Sequence, residues 1–453
     1  IAQHFEIEDP LATLSAKTLS HDPVFQFKKW FVARLAKRHM HKHTELLPFS
    51  DLDAAINLEL TSHLITVTDK ELAVSQLGAI YLADQVRYAE AINQLRDWTV
   101  QAILTEEGRA ETEHWVALQM PNKRDAFHLV PTQDVPGIEG AQQGISFRHR
   151  DGFDLTDQGM SKRQVQNEVH YCVYCHEKEG DFCSSGFPVK KNQPDLGLKK
   201  DAFDSTLTGC PLEEKISEMH VLMREGYPIA ALAMIMRDNP MCPATGHRIC
   251  NDCMQSCIYQ KQDPVNIPQI ETGVLSDVLS LPWGVEIFNL LLRWNPLRQT
   301  QYLLQPFAGK KIAVMGMGPA GFSLAYHLLM SGQAVVGLDG LKIETLPEQL
   351  LKEPIRDFES ITAPLSERVT WGFGGVAEYG ITVRWNKNFL TLIYLSLCRF
   401  QHVQVFGSVR FGGTFLVEDA WRLGFDHLAV AVGAGLPKAL PIPGSLAVGM
   451  LQA

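Results

Sequence analysis

The 453-residue chain has a formal net charge of −10, so it lacks the basic excess that neutralises phosphates, and a general nucleic-acid binder is excluded. With 45% hydrophobic and 20% charged residues it has material for packed cores, in about two to four domains at the usual ~150 residues each. Its apolar runs, such as Ile229 to Met236 and Leu290 to Leu292, fall far short of the ~20 residues a spanning helix needs, so no membrane span is expected.

The sequence begins at Ile1 with no charged-then-apolar leader, and the expectation is a trimmed chain or fragment of a cytoplasmic protein. Residues 1–165 read as a helical domain of unknown role. Phe25 to Leu35 carries apolar residues at helical spacing, and Leu77 to Ile103 continues as amphipathic helix. His39, His41 and His43 alternate beside Lys and Arg with no carboxylate partner in view, which favours a solvated basic helix end over a metal site. Val135 to Gly140 and Arg148 to Gly152 read as loop, placing a boundary between about 135 and 165.

Residues 166–297 hold most of the thiols. Nine cysteines are present, and an odd, clustered set without a secretion signal favours metal or cluster ligation over disulfides. Cys172-x-x-Cys175 and Cys183 precede a polar stretch from Ser184 to Thr208, followed by Gly209-Cys210-Pro211. Helices are predicted over Leu212 to Arg224 and Ile229 to Arg237, the second apolar nearly all round and therefore buried. Cys242, Cys250, Cys253 and Cys257 follow. Closely spaced thiolates separated by small or polar residues suit an inorganic core, because each thiolate must reach a different iron. Two other readings stand beside it. Cys172, Cys175, Cys250 and Cys253 would make a four-cysteine zinc site, but with an overlong central gap and with Cys183, Cys210 and Cys257 left over. Unligated buried thiols are the remaining one. Leu279 to Leu297 has the apolar face of a docking helix, and 298–309 is a linker.

The third region, 306–453, opens on an apolar strand, Lys311 to Met315, a turn with glycines at Gly316, Gly318 and Gly321, and a helix. In the G-x-G-x-x-G pattern the first glycine allows the tight turn, the second admits a pyrophosphate to the backbone, and the third lets helix and strand pack closely. Pro319 and Ala320 complete this cradle. The next predicted strand, Ala334 to Leu338, ends at Asp339, whose carboxylate suits a ribose hydroxyl. An acidic, proline-punctuated excursion spans Leu341 to Arg368. Gly374 and Gly375, then Tyr379, suit backbone passing close to a flat ring system. A helix from Asn388 to Arg399 carries Cys398 as an ordinary buried thiol. Strands are predicted at Val403 to Val405 and Asp426 to Val432, the latter ending in small residues at Gly433.

The order of these motifs from about 165 to 453 resembles the small (beta) subunits of NADPH-dependent glutamate synthases and the N-terminal half of dihydropyrimidine dehydrogenase, FAD and iron–sulfur relatives of the pyridine nucleotide-disulfide oxidoreductases. The residues that carry it are the paired cysteine groups, Lys311 to Gly321, Gly374 to Ile381, Ala431 to Ala434 and Leu440 to Gly444. The resemblance implies a multidomain chain: a helical N-terminal region, a helical double-cluster ferredoxin-like domain, and a Rossmann-like α/β FAD domain. It implies two [4Fe-4S] clusters, one on Cys172, Cys175, Cys183 and Cys257, the other on Cys210, Cys250, Cys253 and Glu271. For Glu271 the plainer reading is a helix-surface carboxylate. Gly316, Gly318, Pro319, Ala320, Gly321, Asp339, Gly374, Gly375, Tyr379 and Gly433 would contact FAD.

This chain departs from the pattern in the long interval between Cys183 and Cys210, the extra thiol Cys242, and an aspartate where the family carries a longer acid. In the family Leu440 to Gly444 leads into an NAD(P)H domain, so the FAD domain is expected to be incomplete here, with the hydride donor bound elsewhere. The implied activity moves electrons from NAD(P)H through FAD and the clusters to an acceptor protein or domain. No catalytic proton-transfer residue is expected, and an oligomeric assembly is compatible with this plan. The rival expectations are a non-catalytic iron–sulfur relay or assembly subunit and a zinc-stabilised structural protein.

Overall fold

The computed structural model describes residues 1–129, 132–135, 138–142, 159–178, 180–191, 193–245, 250–298, 303–364, 386–433, 443–445 and 447–449. The chain forms two compact units. The first comprises Ile1–Phe147, Gly159–Asp238 and Cys250–Val278, and the second is built on Leu279–Ala453 with Asn239–Ile249. The N-terminal helical region and the segments bearing Cys172 to Cys210 and Cys250 to Cys257 therefore share one unit, whereas Cys242 belongs to the other. No single helix among the described residues is long and apolar enough to cross a membrane.

In the first unit, helices Asp22–Phe27, Phe49–Ser62, Lys70–Ala83 and Ala89–Leu104 enclose a core of Phe27, Phe31, Leu52, Ile56, Leu60, Leu77, Tyr81, Leu95 and Trp98. Phe49, Leu52, Ile56 and Leu60 recur at helical spacing, which is why that helix turns one stripe inward. The predicted run from Leu77 to Ile103 is two helices. It breaks where the Asp84 carboxylate accepts the Arg87 amide at 3.1 Å, a local bond that competes with the helical ladder. Val135 to Gly140, read above as loop, instead carries the end of β1 (Thr132–Val135) and the start of β2 (Ile138–Gln142), an antiparallel pair. Pro136-Gly137 is a turn signal between the two strands.

Helix Lys162–Tyr171 leads into the cysteine region. Ser161 and Gln164 form a capping box at its start. Arg163 then bonds Glu71 Oε2 at 2.6 Å and pairs with Asp69. Lys28 Nζ donates to Asn167 at 2.7 Å, and Glu168 accepts the Asn266 amide at 2.8 Å.

The second unit carries a parallel sheet of β3 (Lys311–Met315), β4 (Ala334–Leu338), β5 (Val403–Phe406) and β6 (His427–Val430), in the order β5-β4-β3-β6. Ile312, Ala313, Val314 and Met315 are all buried, as expected of a central parallel strand covered on both faces. Neighbours β4 and β6 lie on opposite sides of β3, so the order reverses there, and the carboxyl ends of β3 and β6 form the switch point at which ligands of open α/β sheets bind. The predicted docking segment is helix Gly284–Arg293, which buries Val285, Ile287, Phe288, Leu291 and Leu292. Arg399 binds Glu286 through two contacts of 2.9 Å and donates to the carbonyls of Leu350 and Glu353, tying the proline-punctuated excursion to that helix. Helix Asn388–Cys398 is buried along nearly its whole length, and burial pushes the Cys398 thiol up to about 12.

Replacing Arg163 leaves the Glu71 carboxylate buried without its cation. Arg163→Met is expected to destabilise the first unit by about 3 kcal/mol, read from the urea midpoint. Burial alone would raise the Asp69 pKa, but hydrogen bonds from Arg163 and the Leu72 amide, with the Arg163 charge, hold it below the usual carboxylate value. Its stabilising contribution is therefore complete above the unfolded-state pKa and lost as pH falls through the folded one. The midpoint of Arg163→Met should lack that part of the acid-side decline.

Candidate functional site

Cys172 follows directly on the last turn of helix Lys162–Tyr171, and its amide closes that turn on the Glu168 carbonyl at 3.2 Å. The chain then turns through Tyr174, whose φ of 50° is left-handed and whose N–H donates to Cys172 Sγ at 3.4 Å. A short 3-10 turn, Cys175–Lys178, presents Cys175, and helix Phe182–Ser185 presents Cys183. Cys257 arrives from the far cysteine group. Stacking of Tyr259 on Tyr171, with centroids 4.4 Å apart, holds its segment beside Cys172.

These four thiols line one small cavity of about 20 Å³, together with Val173, Phe182, Ser217, His220, Ile258, Tyr259, Val265 and Ile267. The polar stretch after Cys183 does not separate the groups. It folds back on itself through Phe187 N–H to Leu207 O (2.9 Å), Lys199 N–H to Phe187 O (2.7 Å) and Leu207 N–H to Lys199 O (2.9 Å). Cys210 N–H then reaches Cys183 O at 2.8 Å, and Gly209 N–H reaches Ser256 Oγ at 2.8 Å. The long interval is thus looped out, and Cys183 stands with Cys172, Cys175 and Cys257.

Cys210, Cys253 and Glu271 form a second neighbourhood with Cys250 at its exposed edge. Burial first, and then the nearby Glu214 carboxylate, raise the Cys210 thiol to about 11. Burial followed by Glu271 drives Cys253 well above its ordinary value. Glu271 lies on helix Ile267–Leu279 and is buried, so it is not a helix-surface carboxylate. Burial, and then the hydrogen-bonded Glu214 carboxyl, raise Glu271 well above the carboxylate range. Cys242 is buried in a short helix of the second unit, Cys242–Thr245.

Around the cavity the thiols are held protonated. Burial pushes Cys172 up to about 12, raises Cys175 and Cys257, and takes Cys183 higher still. Among the described residues no three His, Cys, Asp or Glu side chains converge on the position of a single ion. Sequence reasoning missed Glu214, His176, Ser217 and His220. His220 had a readable signal, since Ile216, Met219, His220 and Met223 share one face of the helix at i, i+3, i+4, i+7 spacing.

The glycine turn stands where the sequence placed it, between β3 and helix Pro319–Met330. Gly316 has φ of 93°, and a Cβ there would lie 2.3 Å from the Ala431 carbonyl. A Cβ on Gly321 would fall 1.8 Å from Gly316 O, whereas one on Gly318 meets nothing within 4 Å. Gly318 therefore faces open space at the helix N-terminus, where backbone amides suit an anion. Pro319 and Ala320 form the first turn of that helix. Asp339 is buried. Its Oδ2 accepts the Met317 amide at 2.7 Å and its Oδ1 the Leu341 amide at 2.9 Å. Gly433, with φ of 68°, follows β6 on the same edge of the sheet. Gly374, Gly375 and Tyr379 lie outside the described residues.

No protein-family model matches the chain. It is 50% identical over 213 residues, 47% of its length, to the uncharacterized protein RP006 of Rickettsia prowazekii, and spans 30% of that protein. It is 27% identical over 247 residues to the glutamate synthase [NADPH] small chain of Mycobacterium tuberculosis, covering 54% of this chain and 41% of that one. A third match, 30% over 142 residues, is to the Bacillus subtilis glutamate synthase [NADPH] small chain, of which it covers 25%. The chain is thus a distant and partial relative of a redox-enzyme component.

The close approach at Gly321 is backbone against backbone and cannot be relieved by a side-chain rotation. Gly321→Ala is expected to lower stability by about 1–3 kcal/mol, measured by thermal unfolding.

Proposed function

We propose that the chain is a module of an FAD- and iron–sulfur-containing oxidoreductase. It takes electrons from NAD(P)H and delivers them to an acceptor protein or domain. The observation that carries this reading is the meeting of Cys172, Cys175, Cys183 and Cys257, from widely separated stretches, around one largely apolar cavity.

The donor set fits a [4Fe-4S] cluster, which takes four thiolates on four different irons and so needs them arranged around a volume. The Tyr174 amide already points at the Cys172 sulfur, the kind of bond that stabilises thiolate charge. Cys210, Cys250, Cys253 and Glu271 would hold a second cluster, whose uptake requires these groups to be deprotonated. Gly316, Gly318 and the N-terminus of helix Pro319–Met330 would receive the FAD pyrophosphate. Asp339 would support the turn and offer its remaining lone pairs to a ribose. Gly433, Gly374, Gly375 and Tyr379 would lie near the ring system.

When bound, the flavin converts a two-electron hydride into single electrons that the clusters carry. The chain's own residues bind, orient and exclude water: Val173, Phe182, Ile258, Val265 and Ile267 wall the cysteine cavity, and no side chain is assigned a proton transfer.

Anaerobically purified chain should contain about eight iron and eight sulfide per molecule together with flavin. Zinc in place of iron would overturn the reading, and iron without flavin would reduce it to a relay. Cys257→Ser should lose about half of the iron. Gly318→Ala, which meets no steric conflict, should fold with unchanged thermal stability and lose flavin.

A further inference from the structure

Helix Ile216–Arg224 turns His220 into the cysteine cavity. The residue is 1% exposed, and neither Nδ1 nor Nε2 has a hydrogen-bond partner among the described residues. Leaving a buried polar group unpaired costs about 1–3 kcal/mol, so native interiors seldom tolerate it without a partner outside the protein's own side chains and backbone. The cavity walls nearest in kind are apolar: Val173, Phe182, Ile258, Val265 and Ile267 offer His220 no side-chain acceptor. The other polar residue of that helix to line the cavity is Ser217, whose Oγ is already engaged by His176 Nδ1 at 2.5 Å. Tyr259 also lines the cavity but makes no hydrogen bond to His220, and what remains is the space between the four thiols. Burial, with the neighbouring His176, keeps the His220 imidazole neutral, so it carries one N–H and one bare nitrogen.

We propose that His220 donates its ring N–H to a sulfur of the cluster held by Cys172, Cys175, Cys183 and Cys257, and so sets that cluster's reduction potential. The inference rests on the cluster reading above. His220 is a positioning residue, not a ligand. A hydrogen bond to sulfur favours the more negatively charged, reduced state, so its removal disfavours reduction. It also accounts for a histidine on an otherwise apolar helix face, where leucine would pack without an unpaired nitrogen.

The experiment is a dye-mediated redox titration followed by electron paramagnetic resonance, with iron and sulfide counted on the same samples, for wild type, His220→Leu, His220→Asn and His220→Gln. The two amides place an N–H near the positions of Nδ1 and Nε2. Expected are full iron in all four and a tenfold shift toward the oxidised state of one cluster in His220→Leu, about 59 mV for a one-electron couple. One amide variant should recover most of that shift. An unchanged potential in His220→Leu with full iron overturns the proposal. Loss of about half the iron from His220→Leu also overturns it, making His220 a ligand. Wild-type protein without iron and sulfide sinks the cluster reading itself, which separates that failure from failure of the His220 role. Should His220→Leu not fold, spin-echo spectra of the reduced wild-type chain grown on histidine enriched in heavy nitrogen decide the matter. A changed modulation supports the bond, and an unchanged one overturns it.

Discussion

The position of Cys172 depends on a buried carboxylate. Glu71 is 5% exposed, and an ionised carboxylate at that depth is tolerable only if both oxygens are satisfied. One takes the Ala117 amide at 2.7 Å and the other the Arg163 guanidinium at 2.6 Å. Arg163 also pairs with Asp69, which caps helix Lys70–Ala83 through the Leu72 amide. Helix Lys162–Tyr171 therefore cannot rotate or slide without stranding a charge, and the cysteine beyond its last turn inherits that fixed position. At the other end, Glu168 holds the Asn266 amide and Tyr171 holds the Asp263 carbonyl at 3.0 Å, so the Cys257 segment is set against the same helix. This gives the N-terminal helices a physical task that their sequence did not disclose: they are the footing of the cysteine region.

What the sequence made legible is what local chemistry dictates. The strand, glycine turn and helix at 311–330 follow from a short continuous apolar run, glycine placement and a proline at the first helical position, all of them short-range signals. Helix Asn388–Cys398 was equally plain from its apolar content. Long-range features were not legible. Nothing local in Ser184 to Thr208 says that its ends meet, because that closure is made by backbone bonds between Phe187, Lys199 and Leu207. The Glu214–Glu271 pair joins residues from two separate segments, and only the fold brings them together. Helix Ile216–Arg224 starts later than the apolar pattern suggested because Glu213 takes φ of 50° and the Glu214 carbonyl is bonded locally by the Ile216 amide.

The thiols impose a charge balance on the site. No lysine or arginine is among the described residues lining the cavity, and burial raises every one of its four cysteines. Without a cationic guest these sulfurs remain protonated, since ionising them in an apolar wall has no compensation. A metal centre taken up there must displace their protons, and uptake is thereby coupled to pH and to folding. The apolar wall then works in the guest's favour, because the charge interactions between sulfur and metal are least screened where water is absent.

Asp339 shows the same principle in the second unit. An acid at the end of the second strand is commonly read as a ribose contact, yet here both carboxylate oxygens already accept backbone amides, one from within the glycine turn and one from beyond the strand. The bond to Met317 crosses from the end of β4 to the turn after β3, so the side chain locks the turn to its neighbouring strand. A shorter acid suits this job, because one methylene keeps the carboxylate close to the backbone it must bond. Each oxygen keeps a second lone pair, and a ribose could use those only on a turn that Asp339 itself has fixed in place. The order of dependence therefore runs from the buried aspartate to the turn geometry, and from the turn to any dinucleotide that binds there.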